Sequence, residues 1–204
     1  MPNNIFYTLN DKLYINITNK CCCSCIFCLR QGGGGVGSAD SLWLEREPSL
    51  GEIKAAFDAA DLSGKTEIVF CGYGEPMERA ADVIETARYI KSRCGLPLRI
   101  NTNGLAKLIR PDFDMSGLAA VDSVSISLNA DNKDEYLRLT QSRFGEGSFE
   151  AMLRFAREAK AFTNVVFTVV DVLEPERIEQ ARRIADDAGV GLRVRSMIAC
   201  RPNN

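Results

Sequence analysis

Five of the chain's eight cysteines fall between Cys21 and Cys28, in the run Cys-Cys-Cys-Ser-Cys-Ile-Phe-Cys, and the 204 residues contain no histidine. Cys21, Cys25 and Cys28 are spaced C-x3-C-x2-C, and a loop with that spacing can turn three thiolates toward one point. Three thiolates satisfy three irons of a cubane cluster and leave the fourth iron open, whereas an electron-transfer cluster normally takes four cysteines. An open coordination position marks a site that binds a substrate or cofactor. The competing readings are a structural zinc site and a group of buried thiols. Zinc lacks a fourth partner at finger spacing, and no histidine is there to supply one. Without imidazole, any proton transfer falls to carboxylates, Tyr, Lys, Cys or water.

The elements around these cysteines alternate regularly. Residues 5–9 and 12–18 read as two strands joined by a turn at Asn10-Asp11. The cysteines follow at once. Ser49, with Glu52 three residues on, starts a helix over Leu50–Leu62. Further strands are expected at Thr66–Phe70, Leu98–Asn101, Asp122–Leu128, Asn164–Val172 and Gly191–Met197. Between them, residues 78–93, 132–140, 148–161 and Pro175 to about Ala188 read as helices. Alternating strands and helices imply a parallel sheet with right-handed crossovers. Six parallel strands from Lys12 onward are too few for a closed eight-stranded barrel. The expected fold is an α/β partial (βα)6 TIM-like barrel with a short N-terminal β-hairpin extension, in one domain over residues 1–204.

In such folds active residues gather at the carboxyl ends of the strands. Here successive strands end in the cysteines, in "CGYGEP" from Cys71, in "NTNG" from Asn101, in "SLNA" from Ser127 and in "VVD" from Val169. Polar and glycine-rich residues therefore collect on one rim.

These segments together resemble the radical S-adenosylmethionine superfamily. Cys21, Cys25, Phe27 and Cys28 are similar to its CxxxCxφC signature, with Phe27 in the aromatic slot. "GYGEP" (Gly72 to Pro76) is similar to its GGEP motif, with Tyr73 in place of the first of the paired glycines. "NTNG" and "SISLNA" are similar to its third and fourth strand ends. With "YINITNKC", "FCLR" and "LWLEREP", the whole chain resembles the small TatD-associated radical enzymes, a family name that records gene neighbourhood and no reaction. The resemblance implies a 4Fe-4S cluster on Cys21, Cys25 and Cys28, with S-adenosylmethionine chelating the open iron. Backbone at Gly72, Tyr73 and Gly74, the Glu75 carboxylate and the Pro76 turn would hold the methionine end. Asn101, Asn103, Ser127 and Asn129 would bond the ribose or carboxylate. Phe27 and Val170, within Val169–Val172, would flank adenine. The chemistry implied is reductive cleavage to a 5′-deoxyadenosyl radical that takes hydrogen from an unidentified substrate. The alternatives are an activating enzyme that places a glycyl radical on a partner protein, and a non-catalytic electron-transfer or sensor protein. A flavodoxin- or ferredoxin-like reductant is the implied electron donor.

Cys22 and Cys23 have the wrong spacing to Cys28 for that signature, and they are expected at loop positions tolerant of many residue types. Cys71 is expected to pack behind the GYGEP turn. Cys94 and Cys200 form no spaced set for a second cluster. Gly32 to Gly37 lacks the lysine of a phosphate loop and reads as a flexible flap. Trp43 and Leu44 read as packing residues, and Glu45 to Glu47 as a solvated charge run. Arg193 and Arg195 share one face of the last strand; they are either anchors for an anionic substrate or members of structural salt bridges.

Composition bounds the rest. With 46% hydrophobic and 25% charged residues the chain has the mix of a soluble domain. No apolar run approaches a membrane span, and no signal peptide is seen, so a cytoplasmic location is the default. A net charge of −2 argues against a broad nucleic-acid-binding face. No helix follows the last strand, whose open side is expected to suit a second copy in a homodimer.

Overall fold

The structure, a computed structural model, describes residues 4–32, 35–171 and 173–196. Strands β1 (Phe6–Leu9) and β2 (Lys12–Ile15) form an antiparallel hairpin whose turn is set by Asn10 at φ 54°. Strands β3 (Glu67–Phe70), β4 (Leu98–Thr102), β5 (Ser123–Ser127), β6 (Asn164–Val170) and β7 (Gly191–Arg195) then add in sequence order. Every pairing from β2 to β7 is parallel. The expected α/β partial barrel with its hairpin extension is the fold observed. Val172, Met197 and Cys200, and Gly33 and Gly34 of the glycine loop, lie outside the described residues.

The helices follow their sequence signals. α1 (Leu50–Asp58) is capped by Ser49, whose side chain accepts from the Glu52 N–H, while the Glu52 side chain accepts from the Ser49 N–H. It stops short of the expected Leu62, because Asp61 instead closes a local turn onto the Ser63 N–H. α2 (Ala80–Lys91) is preceded by a 3₁₀ turn, Pro76–Arg79, where Pro76 takes the first position. α3 (Ala106–Ile109) is a short helix that the sequence pattern does not show. α4 (Lys133–Thr140), α5 (Ser148–Ala159) and α6 (Pro175–Ala188) lie near their expected bounds.

Strand alternation divides the sheet into two unlike faces. Leu13, Ile15, Ile68, Phe70, Leu98, Ile100, Val124, Ile126 and Phe167 are all buried in the core shared with the helices. The opposite, inner face carries Tyr14, Cys71, Arg99, Asn101, Ser125, Ser127, Thr168, Arg193 and Arg195. A closed TIM barrel fills its interior with branched aliphatic layers. This one leaves a polar crevice.

The glycine loop departs from expectation. Val36, Ala39 and Leu42 are buried with Tyr7 and Tyr73 in a second apolar cluster. The Ser38 N–H donates to the Thr8 carbonyl at 2.7 Å, and Ser38 Oγ accepts from the Thr8 N–H at 2.8 Å. Of the expected flap over Gly32 to Gly37, the part from residue 35 on therefore begins a pinned strap, because Val36, Ala39 and Leu42 are buried against Tyr7 and Tyr73.

Candidate active site

The cysteine loop is held by backbone on both sides. The N–H groups of Ser24 and Ile26 donate to the carbonyls of Thr140 and Leu139, at the end of α4, at 2.9 and 3.0 Å. The Arg143 N–H returns to the Cys22 carbonyl at 2.9 Å. On the far side, the Glu75 N–H donates to the Lys20 carbonyl at 2.8 Å. Within the loop, Arg30 Nη2 braces the Cys23 carbonyl and Gln31 Nε2 the Cys25 carbonyl.

The GYGEP turn explains its own glycines. A Cβ on Gly72 would stand 2.0 Å from Asn16 Oδ1, and one on Gly74 would stand 2.2 Å from the Thr18 carbonyl oxygen. Tyr73 sits between them without penalty, since its ring turns into the second apolar cluster and meets Trp43 edge-on at 5.3 Å. Trp43 stays 47% exposed, so it covers Tyr73 more than it fills a core.

Glu75 is 5% exposed and nearly saturated. Its Oε1 accepts from the Met77 N–H at 3.0 Å and the Thr102 hydroxyl at 2.7 Å. Its Oε2 accepts from the Asn103 N–H at 2.7 Å. A carboxylate offers about four acceptor sites, so one remains, on Oε2. Burial, then repulsion from Cys21, pushes its pKa up to about 7 against these hydrogen bonds. The carboxylate thus stitches β3's end to β4's end and still has an acceptor to offer a cation.

One cavity of about 210 Å³ collects the residues singled out from sequence. Cys21, Cys25, Cys28 and Phe27 border it from the loop; Gly72, Tyr73, Gly74, Glu75 and Pro76 from the turn; Asn101, Asn103, Ser127, Asn129 and Val170 from the strand ends. Thr102, Tyr136, Thr140 and Cys71 border it too, and the sequence reading misses them as site residues, while Arg195, expected as an anion anchor or a salt-bridge member, also lies on its wall. The pattern of "NTNG" contains Thr102 and could have flagged it. Nothing local marks Tyr136, which is brought in by the docking of α4. Cys71 lies in the cavity wall, not behind the turn, because strand alternation puts it on the inner face.

Cys22 and Cys23 are not at tolerant positions. Each is 3% exposed, and Cys22 Sγ accepts from Asn103 Nδ2 at 3.1 Å. Hydrogen bonds from the Cys22 and Cys23 thiols hold Cys21 well below the ordinary thiol range, and a bond from Cys23 lowers Cys25. The donors shift the opposite way. The lowered thiols, Cys21 and Cys25, favour the thiolate form that a metal binds. Burial raises Cys28.

The donor chemistry suits an iron–sulfur group and a cationic, hydrogen-bonding partner. Among the described residues no three thiol or acid groups converge on a single ion. A cubane asks for something else, since each thiolate binds its own iron. Two buried polar atoms on the cavity wall lack a partner among the described residues, Asn129 Oδ1 and the Tyr136 hydroxyl. Such orphans are costly unless a ligand satisfies them. Asn129 also holds a left-handed backbone, φ 58°, at the end of β5, a strained placement of the kind found at ligand sites.

A half-barrel enzyme with a three-thiol loop on its carboxyl rim is the class defined by this fold and site. The model of the Radical SAM superfamily matches residues 15–188, and the chain belongs to that superfamily. Its cofactors are accordingly a 4Fe-4S cluster and S-adenosylmethionine. The chain is 32% identical over 136 residues to a GTP 3′,8-cyclase of Lactiplantibacillus plantarum, covering 65% of this chain and 38% of that one. It is 28% identical over 186 residues to a GTP 3′,8-cyclase of Rhodopseudomonas palustris, covering 89% and 51%. It thus spans about half or less of the length of these relatives. Among solved structures it is similar to TYW1 with a lysine-pyruvate adduct bound, at TM-score 0.60 and 16% identity, covering 98% of this chain and 71% of that one. It is also similar to anSMEcpe with bound AdoMet, at TM-score 0.58 and 16% identity, covering 91% and 51%. Among the described residues no helix is long and apolar enough to cross a membrane.

Proposed function

We propose that this chain is a radical S-adenosylmethionine enzyme of the TatD-associated type, with Cys21, Cys25 and Cys28 as the cluster ligands. When bound, the cluster and S-adenosylmethionine supply one-electron cleavage of the sulfonium and a 5′-deoxyadenosyl radical for hydrogen abstraction. The protein's own residues then have defined work. Cys22 and Cys23, buried and contacted by Asn103 Nδ2, hold the backbone that carries the ligand thiols. Glu75 offers its remaining acceptor to the methionine ammonium, an ion pair strengthened by burial. Asn101, Asn103, Ser127 and Asn129 bond the ribose or carboxylate, and Asn129 Oδ1 gains the partner it lacks. Phe27 and Val170 flank the adenine and keep water from it.

The observation that carries this reading is the convergence of the three ligand cysteines, Glu75 and Asn129 on one cavity. A flavodoxin- or ferredoxin-like protein is the proposed electron donor, and β7, the edge strand among the described residues, is the proposed contact of a homodimer. The GTP of the two curated relatives is not carried over, since this chain spans half or less of them. The test is anaerobic reconstitution, iron and sulfide counting, reduction, and addition of S-adenosylmethionine. Release of 5′-deoxyadenosine supports the enzyme. A reduced, fully loaded cluster that never yields it leaves the electron-transfer or sensor alternative standing instead. A radical found on an added polypeptide identifies an activating enzyme.

A further inference from the structure

Beside the cofactor cavity lies a second space of about 400 Å³, inside the half-barrel. The two share a wall that includes Cys71, Asn101, Ser127 and Arg195. Its volume falls in the range that holds a small organic ligand. Its charge is lopsided. At the base of the inner face, Glu67 Oε2 takes Lys12 Nζ at 2.7 Å, and Arg99 forks onto both Glu67 oxygens at 2.8 and 2.9 Å. That one carboxylate is thereby spent on two cations. Among the described residues Arg193 has only a neutral hydrogen-bond partner, Ser125 Oγ, at 2.9 Å. The Arg195 guanidinium has no hydrogen bond or ion pair among the described residues. Partial burial, then the like charge of Arg99, lowers the pKa of Arg193, with Glu67 acting the other way without an ion pair to it.

Structural salt bridges therefore account for Arg99 and leave Arg193 and Arg195 over. Their side chains lie on one face of β7, two residues apart. A guanidinium presents paired donors that match the oxygens of a carboxylate or phosphate. The two like charges share the rim of the second space and repel, and an arriving anion relieves that repulsion. Arg195 borders both spaces, so an anion seated on it sets the rest of a bound molecule against the cofactor cavity.

We propose that the substrate carries an anionic group, a carboxylate or a phosphate, that docks on Arg193 and Arg195. As a statement about substrate it rests on the enzyme reading above. The anion site itself does not, and the test keeps the two apart. Pyrophosphate and succinate are titrated calorimetrically at low ionic strength into the wild-type chain, with and without its reconstituted cluster. The same titrations are run on Arg193→Gln/Arg195→Gln, on Arg195→Lys, and on Arg157→Gln, an exposed arginine of α5, as control. At least one probe should bind the wild type and the control alike. Binding should fall about tenfold or more in the double variant and by less in Arg195→Lys, which keeps the charge but loses the fork. The binding probe names the class, phosphate or carboxylate. Melting temperatures establish that each variant is folded. Binding of neither probe, or equal binding by the folded double variant, overturns the proposal. Release of 5′-deoxyadenosine is measured separately on the wild type, so failure there refutes the enzyme reading and leaves the anion site standing.

Discussion

Replacing Glu75 by Gln separates what this side chain does for folding from what it does for the cofactor. A Gln oxygen at the Oε1 position keeps the Met77 N–H and the Thr102 hydroxyl as donors. The amide nitrogen then faces the Asn103 N–H, donor to donor, where Oε2 accepted at 2.7 Å. Losing that bond and leaving the N–H unpaired costs about 1–3 kcal/mol. There is an opposing gain. The pKa stands at about 7 against an ordinary 4.5, which puts the cost of keeping the buried acid ionised near 3 kcal/mol. Gln never pays it, so the two effects nearly cancel and the melting temperature should move by only a few degrees. The cofactor has no such compensation. An amide cannot accept and ion-pair the methionine ammonium as the last carboxylate site is proposed to do, and a charged hydrogen bond is worth about 1.5–3 kcal/mol. That converts to roughly 10- to 150-fold weaker S-adenosylmethionine binding. The assay is equilibrium dialysis of labelled S-adenosylmethionine against cluster-loaded Glu75→Gln, with calorimetric melting of the same preparations. Wild-type affinity in the variant refutes the ammonium assignment. Collapse of the melting temperature refutes the cancellation.

The other predictions are simpler. Cys25→Ala should abolish cluster loading while Cys22→Ala keeps it, read as iron and sulfide per chain; loss of the cluster in Cys22→Ala would overturn the ligand choice. Gly74→Ala should destabilise by about 1–3 kcal/mol, because its new Cβ would meet the Thr18 and Lys20 carbonyl oxygens at 2.2 and 2.7 Å; an unchanged melting temperature would show that the loop gives way freely. Burial works to raise the Glu67 pKa, but Arg99 and Lys12 outweigh it and bring it to about 2 from 4.5. Glu67 with its two cations therefore contributes stability above pH 4.5, about 3 kcal/mol, which is lost as pH falls from 4.5 to 2. Denaturant melts across that range should show the loss in the wild type and a flatter profile in Glu67→Gln.

The sequence and the structure agree most where the signal is local. The alternation of Ser123, Val124, Ser125, Ile126 and Ser127 sets both the strand and its two faces. The Ser49–Glu52 pair sets the start of α1. The rim residues were legible because each follows its strand directly in the chain. What escaped depends on distant partners. Tyr136 reaches the cavity only because the cysteine loop docks on the end of α4, more than a hundred residues away in sequence. Cys22 and Cys23 look like loop residues until Asn103 and the core close over them. The glycine strap reads as flexible by composition, yet Val36 and Leu42 find Tyr7 and Tyr73 to pack on. Arg193 and Arg195 were ambiguous in sequence because their pairing depends on which carboxylates share the inner face.

The mooring of the cysteine loop has a consequence for how the protein ages. Its attachments to Thr140, Leu139, Arg143 and Glu75 run through backbone N–H and carbonyl groups. Small zinc domains depend on their metal to fold. Here the anchor points belong to the half-barrel itself. Oxygen damage to an iron–sulfur group would strip the catalyst and leave the scaffold intact. The loop that would receive a new cluster is thus already in place, so reloading needs no refolding of the chain.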